Sequence, residues 1–79
     1  MTERLPAQAA IERIRTHREL NELILGVDGF QTVPGGFIAS LDLILDLSTK
    51  PLSVRDAAAR AEAFVTANAA DDLTFEIVA

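Results

Sequence analysis

A chain of 79 residues, 49 % of them hydrophobic, can bury one core and not two, so residues 1–79 read as a single domain. It contains no cysteine, which excludes disulfides and thiolate metal sites and suits a cytoplasmic location. The net charge of −5 is uneven. Residues 1–20 carry a net +1, with Arg4, Arg13, Arg15 and Arg18 against Glu3, Glu12 and Glu19. Residues 21–79 carry −6, with nine acids against Lys50, Arg55 and Arg60. That balance disfavours direct binding to nucleic acid and favours a basic partner.

Taken along the chain, Met1-Thr2-Glu3-Arg4-Leu5-Pro6 shows no secretory signal, because no apolar run follows the charges. The most apolar stretch, Phe37 to Leu47, is too short for a membrane span and is interrupted by Asp42 and Asp46. No membrane association is expected. The first element is a helix from about Pro6 to Leu25. Pro6 suits a first turn, and Ala7, Ala10, Ile11 and Ile14 form a stripe that drifts toward Leu20, Leu23, Ile24 and Val27. Gly26 is its expected stop. Thr16 and Glu19 have capping-box spacing, which allows a restart, but one helix is the expectation.

Val33-Pro34-Gly35-Gly36 predicts a type II turn, with proline setting φ and Gly35 supplying a positive φ. Strands from about Gly29 to Val33 and from Phe37 to Ser48 should flank it. In the second, Phe37, Ala39, Leu41, Leu43, Leu45 and Leu47 alternate with Ile38, Ser40, Asp42, Ile44, Asp46 and Ser48, the period of a strand with one buried face. Thr49-Lys50-Pro51 breaks it. Ser53 then caps a second helix, whose inner face is Val54, Ala57, Ala58, Ala61, Phe64, Val65 and Asn68. Leu73 to Val78 alternates again, with Leu73, Phe75 and Ile77 opposite Thr74, Glu76 and Val78. The expected fold is α+β, in α-β-β-α-β order. It is a two-layer sandwich of a three-stranded, mainly antiparallel sheet with two helices on one face. The crossover through the second helix should be right-handed if the strands it joins are parallel neighbours.

The residues do not assemble a catalytic set. His17 is alone among Arg15, Arg18 and Glu19, without a second metal ligand or a nucleophile. Ser40, Ser48 and Ser53 lack the G-x-S-x-G turn, and Gly35-Gly36 leads into a strand rather than a phosphate-binding helix. Asp42 and Asp46, four strand residues apart, stand about 13 Å from each other, too far to share a metal. A non-enzyme with no cofactor is the expectation.

What remains is a surface. The strand face turned from the leucines offers Asp42, Ile44 and Asp46, joined by Glu76 and Val78 from the last strand. Carboxylates mixed with isolated apolar side chains suit docking on a basic, partly apolar surface of a protein or ribonucleoprotein complex. In size, acidity, compact α+β pattern and lack of catalytic residues the chain resembles the phage-encoded anti-CRISPR inhibitors. That resemblance implies a stoichiometric inhibitor that blocks target-DNA binding, and it carries no site residues with it. The alternative is a structural or assembly module, a monomer or weak homodimer in which Ile44, Val78 and the edge of the last strand meet a second copy. Ser40-Leu41-Asp42-Leu43 and Ser53-Val54-Arg55-Asp56-Ala57-Ala58 also resemble parts of acyl carrier proteins. The chain departs from that family in having Ala39 before the serine and a strand where the family has a helix.

Overall fold

The computed structural model describes residues 4–49 and 51–79, with the side chains of residues 37–42 outside that description. The elements are β1 (Arg4–Leu5), α1 (Ala7–Glu19), β2 (Gly26–Val33), β3 (Gly36–Asp46), α2 (Val54–Asn68) and β4 (Leu73–Val78). The fold is α+β, with two helices on a four-stranded sheet, one strand more than the sequence pattern predicts. The added strand is β1, two residues that pair Arg4 with Glu76 and Leu5 with Phe75.

The strand order is β1-β4-β2-β3, and every neighbouring pair is antiparallel. Each helix therefore crosses over a strand contributed by the other half of the chain. The β1-α1-β2 crossover steps over β4, and the β3-α2-β4 crossover steps over β2. β3 and β4 thus run parallel but are not neighbours, so the condition attached to the right-handed crossover is not met. β4 lies inside the sheet between β1 and β2, and on its outer edge β1 pairs with Phe75 and Glu76, so the edge expected to meet a second copy is covered at those two residues.

α1 ends at Glu19, well short of Leu25. The cause is a left-handed residue, Asn21, with φ of 57°. Its N–H donates to the Arg18 carbonyl, and the Glu22 N–H reaches back to the His17 carbonyl at 2.8 Å. These two bonds make a Schellman closure that satisfies the last helical carbonyls. Gly26 is not the helix stop but the first residue of β2. Thr16 does not restart the helix either: its hydroxyl donates to the Glu12 carbonyl one turn back, within a continuous helix. The apolar run beyond the helix serves the sheet instead. The Leu25 N–H donates to Val78, and its carbonyl accepts from Leu47.

The hairpin between β2 and β3 turns at Pro34-Gly35, where Gly35 has a φ of 88°, as a type II turn requires. The ladder then carries an irregularity. Asp28 pairs with Ile44, but Phe30 pairs with Ala39. Residues 40–43 stand opposite Gly29 alone. That offset is odd, so one two-residue period cannot govern pairing along the whole of β3. A Cβ on Gly29 would lie 2.6 Å from the Leu43 Cβ, which shows how closely the bulged strand approaches. The predicted orientations of Phe37, Ile38, Ala39, Ser40, Leu41 and Asp42 fall outside the described residues, as does Lys50.

α2 forms as expected. The Ser53 hydroxyl accepts the Asp56 N–H at 3.0 Å, satisfying one of the free donors of the first turn. Ala57, Ala58, Ala61 and Val65 are buried along one side. They join Ala10 and Ile14 of α1, Ile24, Val27 of β2, Leu47, and Phe75 and Ile77 of β4 in one core cluster. Phe75 is its largest fully buried side chain. Both helices contribute to this one side of the sheet, and the opposite side carries Arg4, Asp28, Phe30, Ile44, Asp46, Glu76 and Val78 by strand parity. No described helix is long and apolar enough to cross a membrane.

Candidate docking face

The strand registers fix how the open face is laid out. Arg4, Glu76, Asp28 and Ile44 stand in one row across all four strands. The next row is Val78, Gly26 and Asp46. Because Gly26 has no side chain, this row has a gap between Val78 and Asp46. A Cβ placed there would come within 2.7 Å of the Leu45 carbonyl oxygen, so the close pairing of β2 with β3 itself excludes a larger residue.

The gap is the floor of an open pocket of about 310 Å³ lined by Leu25, Gly26, Asp28, Ile44, Leu45, Asp46, Ser48 and Val78. Leu25 and Ile44 are among the most exposed large apolar side chains described, Ile44 at 46 %. The pocket therefore has apolar walls and carboxylates beside them. Three of the five residues picked out by sequence pattern, Ile44, Asp46 and Val78, meet here. Glu76 lies in the adjoining row, between Arg4 and Asp28. The Asp42 side chain lies outside the described residues.

Asp46 is held in place by its neighbour. The Ser48 hydroxyl and the Ser48 N–H both donate to Oδ1, the latter at 2.9 Å. These two donors, the hydroxyl first, hold its carboxyl below the ordinary carboxylate range, so it stays ionised further into acid. The Asp28 carboxylate has no hydrogen-bond or ion-pair partner among the described residues, and the residue is half-buried. On the far side of the row, the Arg4 guanidinium lies over the Phe30 ring, 5.0 Å from its centroid, which covers that apolar side chain and leaves the pocket end of the face open.

Asp28, Leu25, Gly26 and Arg4 are absent from the sequence-derived set. The sequence pattern starts the first strand at about Gly29, which leaves Asp28 outside it, and Arg4 belongs to a strand too short to show a period. The missed signal is the alternation of Val27, Asp28, Gly29 and Phe30, which places an acid opposite a buried valine.

The other residues weighed for chemistry have definite places. His17 lies at the end of α1 beside Glu22, and Ser53 is a helix cap. Among the described residues no three histidine, aspartate or glutamate side chains gather closely enough to hold a metal ion. A second hollow, of about 470 Å³, lies between the end of α1 and the start of α2 and is lined by Arg18, Glu19, Asn21, Val54 and Arg55. Its charges are of both signs, whereas the charged residues lining the Gly26 pocket, Asp28 and Asp46, are both acidic. No family model, no curated protein and no solved structure matches this chain.

Proposed function

We propose that the protein is a small acidic inhibitor that docks its open sheet face on the basic surface of a nucleic-acid-binding complex in the cytoplasm, as an anti-CRISPR protein would. The observation that carries this reading is the pocket on the uncovered face, where Asp28 and Asp46 adjoin exposed Ile44 and Leu25 and half-buried Val78. Such a surface offers carboxylates where phosphates would otherwise sit, together with apolar area that gains from leaving water. Glu76 stands beside Asp28 on the next strand.

The test is capture from bacterial lysate with the immobilised protein at low salt, followed by challenge with excess duplex DNA. The expected result is a basic nucleic-acid-binding complex that DNA displaces, that loses its own DNA binding when the protein is added, and that raised salt releases. The Asp28→Lys/Asp46→Lys variant, shown to be folded by circular dichroism, should capture none of it. Undiminished capture by the folded variant would overturn the reading.

A further inference from the structure

Resting on that reading, we infer that the pocket floored by Gly26 seats an arginine side chain of the docked partner. Three features converge on this occupant. The missing side chain at Gly26 opens a recess between Val78 and Asp46 that a protruding chain can enter. Leu25, Ile44 and Val78 give that recess apolar walls, which suit the methylene stem of a long basic residue. Asp28 and Asp46 both line it, and the two Ser48 bonds that orient Asp46 fall on the same oxygen, Oδ1.

Arginine fits this arrangement better than lysine. Its planar fork can meet two carboxylates from one position, and it is more weakly hydrated than an ammonium, so it loses less on entering a partly apolar recess. Negative charge around an apolar pocket is complementary to that side chain and to no acidic or neutral one. The docking face thus reads one arginine inserted at Gly26, with Asp28 and Asp46 beside it setting the approach.

The test is a titration of the ¹⁵N-labelled full chain at low ionic strength with N-acetyl-arginine amide, followed by amide shifts. Parallel titrations use the lysine amide and the amide of citrulline, whose urea group matches the guanidinium in shape without its charge. Saturable shifts should cluster on Leu25, Gly26, Leu45, Asp46, Ser48 and Val78. Citrulline should bind about tenfold more weakly, because the charge-assisted hydrogen bonds are lost. Lysine should fall between them, and Asp28→Asn/Asp46→Asn should abolish the clustered shifts. Shifts spread evenly over Glu12, Asp56 and Asp71, equal shifts with citrulline, or lysine binding as tightly as arginine would each overturn the assignment. DNA-displaceable capture is a separate readout. If it persists while the pocket amides stay silent, the docking face stands and the arginine seat falls.

Discussion

The Nδ1 of His17 stands 2.9 Å from a carboxylate oxygen of Glu22, across the left-handed turn that ends α1. The side-chain pair spans the same two residues whose backbones close the Schellman motif, but the two layers of contact differ in worth. Glu22 is about half exposed, and an exposed pair contributes under about 1 kcal/mol. Asn21 holds the left-handed conformation itself. Asn21→Ala should therefore cost about 1 kcal/mol or more in urea unfolding, Asn21→Gly should cost little, and Glu22→Ala should cost less than Asn21→Ala.

The Asp46 carboxyl gives a pH signature. Its folded-state pKa lies below the ordinary value of 3.8, so its contribution to stability is present above that value. That contribution is lost as pH falls through the lower, folded value. Ser48→Ala removes the first of its two donors and should move the Asp46 titration upward, followed by carboxyl ¹³C shifts. Asp46→Asn should remove this part of the acid dependence of unfolding. A titration of Asp46 unmoved by Ser48→Ala would contradict the bond geometry.

The core predicts a steeper sensitivity. Phe75 is fully buried on the central strand β4, and Phe75→Ala should cost about 3–5 kcal/mol. A domain of this size has little more than that to lose, so the variant should be largely unfolded by circular dichroism. Ala61→Leu fails by the opposite route. It forces a larger side chain into a fully buried position and should cost about 1–3 kcal/mol.

Ser53→Ala should cost about 1 kcal/mol in thermal or urea unfolding, because the Asp56 N–H loses its acceptor at the start of α2. Ser53→Asp should recover most of it, since aspartate caps as well and complements the helix dipole.

The bridge from Arg15 on α1 to Glu62 on α2, at 2.6 Å, is short but exposed on the arginine side. Glu62 accepts a hydrogen bond from the guanidinium and, with its charge, raises the Arg15 pKa further above its usual range. Arginine stays charged at any working pH, so this shift produces no pH dependence of its own. A double-mutant cycle with Arg15→Ala and Glu62→Ala should return under about 1 kcal/mol of coupling, and less at high salt.

The parts of this fold that the sequence shows are those governed by local rules. Ser53, the alanine face of α2 and the alternation in Leu73–Val78 each follow from spacing within one element. The errors arise where distant residues decide. Apolar spacing continues from Leu20 to Val27 although the helix has stopped, because the stop rests on the φ of Asn21. The leucines of β3 keep a period of two in sequence although their pairing with β2 slips at Gly29. β1 is two residues long and exists through its pairing with β4. The docking face divides in the same way. Parity alone selects Ile44, Asp46 and Val78, whereas the recess among them depends on which residue of β2 lies between β3 and β4. That register makes Gly26 its floor and brings in Asp28.

The two interlocked crossovers also govern how the molecule comes together. Since, among the described residues, β4 is the only strand beside β1 and also one of the two beside β2, neither crossover has a complete sheet of its own to fold upon. Cutting the chain between them leaves two fragments that each lack their central partner. The β2–β3 hairpin closes locally, but large loops must close before β4 can pair with β1 or β2, which places folding toward the slow end for so short a protein. Once closed, the strands hold one another through shared neighbours. Amides of β2 and β4 should then exchange with solvent together, through one concerted opening rather than piecewise fraying.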